Sequence, residues 1–194
     1  MRPARSLLPL LLLALSAGVH ARGSADDAAP AATPAAVDIA ALISCQGTPE
    51  EFMALATSLQ DPLQAVSLGW RPLPQGNMFL TEYALNLPVT VFGHRSDHIA
   101  FAGSSVMAVL DLPDPRPLAK QLALETAVDT PEKAMFGKEL VSEEMRDPAT
   151  GATLVRSLVL NVSNVTSHPG KTLVGCTYSI DPLEDEPAEP AAGG

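Results

Sequence analysis

From Phe79 to Phe92 apolar and polar residues alternate. Phe79, Tyr83, Leu85, Leu87, Val89 and Val91 share one parity, with Thr81 the polar exception; Glu82, Asn86 and Thr90 share the other. A period of two predicts a half-buried strand with the first set in the core. Pro88 offers no amide proton to a ladder, which places a sheet edge or a break at that point. His98 to Leu110 is apolar on both parities, with Ile99, Phe101, Met107 and Val109 against Ala100, Ala102, Val106 and Leu110. That pattern predicts a central strand covered on both faces, bulged at Gly103. Three more strands are expected over 135–145, 153–165 and 172–180. The sequence Asp147-Pro148-Ala149-Thr150-Gly151 supplies the reversal between the first two of these.

Two segments have helical spacing instead. Phe52, Leu55, Ala56 and Leu59 form one apolar face. Pro49 suits the first helical position, and Thr48 with Glu51 has the spacing of a capping box. Asp61-Pro62 ends or kinks this helix, with another turn over 63–68. A second helix starts at Asp114-Pro115 and runs to about Thr126, with Leu118 and Leu122 inward. The expected order is α-β-β-α-β-β-β. It defines an α+β domain, a mostly antiparallel sheet with two helices packed on one face.

The ends read differently. Met1-Arg2-Pro3-Ala4-Arg5 is positive, Ser6 to Ala17 is almost wholly apolar, and Val19-His20-Ala21 fits a cleavage site. Residues 1–21 are thus expected to be a secretory signal peptide, too short for a comfortable span. Residues 22–37, rich in Ala and Pro, read as a disordered linker, and residues 181–194 as an acidic disordered tail. A single domain is expected over 38–180, in a protein that is periplasmic or secreted. An oxidising compartment gives the two cysteines one intramolecular pairing, Cys45 with Cys176.

Charge narrows the partners. The chain carries 12 basic and 22 acidic residues, a formal net charge of −10. Removal of the leader would take away Arg2 and Arg5 and no acid. Such a surface repels phosphate backbones and lacks a polybasic cluster for anionic lipid, so no nucleic acid is expected, and no stretch after the leader is long and apolar enough for a membrane span of the mature chain to be expected.

Few motifs carry chemistry. Gly170-Lys171-Thr172 resembles the end of a phosphate-binding loop, but position 165 is valine and a strand follows. Gly103-Ser104-Ser105 lacks the second glycine of a nucleophile elbow, since position 107 is methionine. Asn161-Val162-Ser163 and Asn164-Val165-Thr166 have the form of glycosylation sequons. The richest polar grouping is His94-Arg95-Ser96-Asp97-His98, read as the turn between the first two strands. If the second helix is a crossover, the third strand runs parallel to the second. The turns at 93–98 and 166–171 then share one end of the sheet, gathering His94, Arg95, Asp97, His98, His168 and Lys171. Trp70, in a Pro-rich loop, is either a core lid or an anchor for a partner.

No nucleophile with its base, and no full ligand set, stands out. The expected function is therefore a non-catalytic protein-binding module of inhibitor or envelope accessory type. Its expected partner is another envelope or secreted protein, met through His94, Arg95, Asp97, His98, His168, Lys171 and Trp70, with no cofactor and no metal. The alternative is a metal-binding protein or hydrolase that uses His94, Asp97, His98 and His168.

Overall fold

The computed structural model describes residues 38–183. The expected signal peptide, the linker and the tail beyond Leu183 lie outside the described residues. The elements are α1 (Ile39–Ile43), α2 (Pro49–Ser58), α3 (Pro62–Ser67), β1 (Trp70–Pro72), β2 (Thr81–Val91), β3 (His94–Ala102), β4 (Ser105–Leu110), α4 (Arg116–Gln121), β5 (Glu125–Asp129), β6 (Ala134–Arg146), β7 (Thr153–Ser163) and β8 (Thr172–Pro182). All eight strands form one sheet in the order β1-β2-β3-β4-β8-β7-β6-β5. Every neighbouring pair is antiparallel.

Several sequence expectations change. Residues 98–110 are not one bulged strand but parts of the hairpin β3–β4, turning at Gly103-Ser104 with Gly103 at φ 54°. Both strands lie inside the sheet, so from Ile99 onward both are apolar on both parities, and the pattern hides the reversal between them. The second helix stops at Gln121. Ala123 takes a left-handed φ of 52°, and the chain enters β5, a short and mostly exposed edge strand with no alternation to announce it. At the far end β8 continues past 180: Asp181 pairs with Val155, and the Leu183 amide donates to the Thr153 carbonyl. The capping box forms as expected, Thr48 Oγ1 accepting from the Glu51 amide and Glu51 accepting from the Thr48 amide.

Strand register separates two faces. Tyr83, Ile99, Ala108, Val174, Val162 and Phe136 lie side by side across six strands. All six are buried in the main core, which also takes Leu42 and Ile43 of α1, Phe52 and Leu55 of α2, and Leu118 of α4. Residues of the next row, Glu82, Ala100, Met107, Gly175, Asn161 and Gly137, point to the opposite face. A Cβ on Gly175 would stand 2.0 Å from the Val106 carbonyl oxygen, so glycine is required where β4 approaches. This second face holds its own small cluster of Leu80, Ala100, Met107, Val109 and Leu173, with Val165 packed against it.

Cys45 and Cys176 are bonded to each other, which joins the end of α1 to β8. Tyr178, two residues along β8, stacks on Phe52 and donates its hydroxyl to the Leu42 carbonyl at 2.7 Å.

A buried Glu-His-His cluster on the second face

Three elements bring the cluster together. Phe92-Gly93 makes the β2–β3 turn with both residues at positive φ, 50° and 84°, a conformation suited to tight hairpins. From that turn Val91 pairs with His94 and Val89 with Ser96. The ladder then slips. Ala84 pairs with His98, so five steps along β2 match two along β3, and the excess is taken up around Pro88. Beyond the slip, Tyr83 and Leu85 enter the main core, and Glu82 faces the other way, diagonal to His98. The third element is the segment between β7 and β8. Val165 packs on the second-face cluster, and tight turns from the His168 amide to Val165 and from the Lys171 amide to His168 aim the His168 ring at Glu82.

A single carboxylate oxygen, Glu82 Oε2, lies 2.7 Å from His98 Nε2 and 2.8 Å from His168 Nε2. The two imidazole centroids are 5.8 Å apart. Glu82 is 6% exposed, while the side chains of His98 and His168 are 25% and 11% exposed. A carboxylate is costly to bury without partners, and these rings are the side chains that meet it. One ligand atom from each of the three residues falls within 4.8 Å of the others. Beside His98 a depression of about 320 Å³ opens, lined also by Arg95, Asp97, Asp111 and Lys171. Lys171 forms an ion pair with Asp111, and its hydrogen bond holds the Asp111 carboxyl below the usual carboxylate range.

The expected residues divide as follows. His98 and His168 meet, His98 from the middle of β3 and His168 from the connection between β7 and β8. Arg95, Asp97 and Lys171 line the neighbouring depression. His94 starts β3 opposite Val91 and is outside the group of close ligand atoms. The stretch 94–98 is a strand, not a turn. Trp70 is 7% exposed and packs against Tyr83 and Phe101, which places it in the core and leaves little of it for a partner. Leu87 and Phe79, expected inward, are exposed: Leu87 lies in the slipped stretch and Phe79 precedes the strand.

Glu82 was missed. It sits on the polar parity of its strand, and an unslipped hairpin would set it opposite Gly103, away from His98. Pro88 was the one available signal that the register breaks. The serines and sequons have structural partners. Ser105 bonds Thr177 at 2.6 Å, the Asn161 amide donates to Thr177, and Asn164 bonds the Ala134 amide and the Glu132 carbonyl.

In comparisons with known proteins, no family model matches the chain, and neither a curated protein nor a solved structure matches it. Among the described residues no helix is long and apolar enough to cross a membrane.

Proposed function

We propose that this is an exported protein that binds one divalent transition-metal ion, of the zinc class, through Glu82, His98 and His168. The observation that carries the reading is the convergence of two imidazole Nε2 atoms on one buried carboxylate oxygen. Two nitrogens and an oxygen suit zinc and its first-row neighbours; calcium and magnesium prefer all-oxygen sets, and copper(I) prefers sulfur. Metal–ligand bonds of about 2.0–2.1 Å in a tetrahedral site set ligand atoms about 3.3 Å apart. The present spacings open by roughly half an ångström to reach that, through small side-chain rotations of Glu82 and His98 on their strands and a shift of the loop-borne His168. Three protein ligands leave a coordination position for water or a ligand. The bonded Cys45–Cys176 pair supports a periplasmic or secreted location.

Metal analysis of protein purified without a histidine tag tests this. About one equivalent of zinc per chain is expected, lost in Glu82→Gln, His98→Ala and His168→Ala and kept in His94→Ala and Asp97→Ala. At a free zinc concentration of a hundred times Kd the ion adds about 2.7 kcal/mol of stability, read as a rise in Tm. Absence of stoichiometric zinc from the wild type, after incubation with the ion, overturns the reading.

A protein partner at the same end is the second reading, favoured by Met78 and Phe79. These neighbours are 79% and 76% exposed, on a loop whose Asn77 bonds the His168 loop. Met78→Ser with Phe79→Ser is expected to leave Tm unchanged and to abolish capture of envelope proteins that the wild type retains. Equal capture by both forms sinks this reading.

A further inference from the structure

We infer that Ser167 and Asn77 are positioning residues for the ion, and that through them its binding is coupled to the loop of residues 73–80. The inference rests on the metal reading above and goes beyond it in naming what sets the affinity.

Two of the three ligands stand on paired strands, but His168 stands on a connection, so the direction of its ring decides whether the site is ready. Its inner nitrogen, Nε2, faces Glu82; its outer nitrogen, Nδ1, is 3.0 Å from Ser167 Oγ. The same hydroxyl oxygen accepts from Asn77 Nδ2 at 3.1 Å. Asn77 is itself fixed in its loop, its Oδ1 accepting from the Phe79 amide and its carbonyl from the Leu80 amide. A continuous line of polar contacts therefore runs from Asn77 through Ser167 and His168 to Glu82 and His98.

Proton placement along that line has two consistent solutions. Without the ion, the neutral His168 ring donates its Nε2–H to Glu82, and Nδ1 then accepts the Ser167 hydroxyl proton. With the ion on Nε2, the neutral ring carries its proton on Nδ1 and donates to Ser167 Oγ. The hydroxyl then accepts twice, once from His168 and once from Asn77, using both lone pairs and turning its own proton to solvent. Between Asn77, Ser167 and His168 Nδ1 no heavy atom has to change partner; the direction of one hydrogen bond reverses. A ligating histidine held by an outer acceptor is oriented and made a better donor, and loss of such an outer partner typically weakens metal binding 10–100-fold. Because the outer acceptor here is shared with Asn77, the ion also tightens the link between the two loops.

The test compares wild type, Ser167→Ala and Ser167→Thr by zinc competition against a chromophoric chelator. Ser167→Ala is expected to bind zinc about tenfold or more weakly, and Ser167→Thr, which keeps a hydroxyl, to bind like wild type. On adding zinc to 15N-labelled wild type, the protonated ring nitrogen of His168 moves from Nε2 to Nδ1. Zinc also slows amide hydrogen exchange within residues 73–80 in wild type, but not in Ser167→Ala saturated with zinc. Equal affinity of Ser167→Ala and wild type, or exchange in 73–80 indifferent to zinc, overturns the relay while leaving the metal site standing. A wild type that binds no zinc overturns both.

Discussion

Tyr178 shows how much one side chain carries. Its ring fills the space between Phe52 and β8, and its hydroxyl satisfies the Leu42 carbonyl of α1. Burial pushes its phenol up to about 12. The native state thus keeps a proton that the unfolded chain releases near its ordinary value of 10.0. This contribution to stability is full below about pH 10 and is lost as the pH rises from there to about 12. Tyr178→Phe removes the donor and leaves the Leu42 carbonyl with the Cys45 amide alone, at a cost of about 0.5–1.5 kcal/mol in urea unfolding at neutral pH. The variant should also lose less stability between pH 10 and 12 than wild type does. Some loss persists, because burial also raises Tyr83. An unchanged alkaline slope would show that Tyr178 ionises freely in the native state.

Among the elements, α1 is the one that cannot hold itself. It has five residues, and its Asp38 cap satisfies only the Ala41 amide. A helix so short is not stable alone in water. It stays because Leu42 and Ile43 enter the core and because Cys45, just past its end, is bonded to Cys176 in a central strand. The bridge spans 131 residues of sequence. In the chain-entropy model a loop of that length gives about 5 kcal/mol, and native bridges typically give 2–5 kcal/mol. Cys45→Ser with Cys176→Ser should lower the unfolding free energy within that range. It should spare zinc stoichiometry, since Glu82, His98 and His168 lie on the opposite face. Loss of the metal together with the bridge would show that the two faces are not independent.

At the scale of the molecule, the two faces of the sheet have different work. One is covered by helices and forms the main core. The other is only partly covered, by the segments before β2 and between β7 and β8, and it is there that a buried carboxylate meets two imidazoles. The end of the sheet that gathers the histidines was expected from the sequence, though by a path with two omissions. The pattern along the chain marks neither the β3–β4 hairpin nor the β5–β6 hairpin. Each reverses the chain once, so together they cancel and leave β6 running parallel to β3. The loops at 92–93 and 164–171 consequently share an end despite the wrong strand count.

The sequence by itself determined what depends on neighbours along the chain. The capping box of Thr48 and Glu51, the reversal at Asp147–Gly151, the presence of a strand at β2 and the pairing of the two cysteines all follow from local chemistry or from a count of two. Where the local pattern is silent, only the tertiary structure decided. A strand buried on both faces has no period to mark where it turns back, so Gly103 read as a bulge. The register slip at Pro88 is set by how β2 packs against β1 on one side and β3 on the other, and it alone moves Glu82 beside His98. Ligand geometry depends on register and on a loop folded from 86 residues away, and neither is written in the spacing of the ligands themselves.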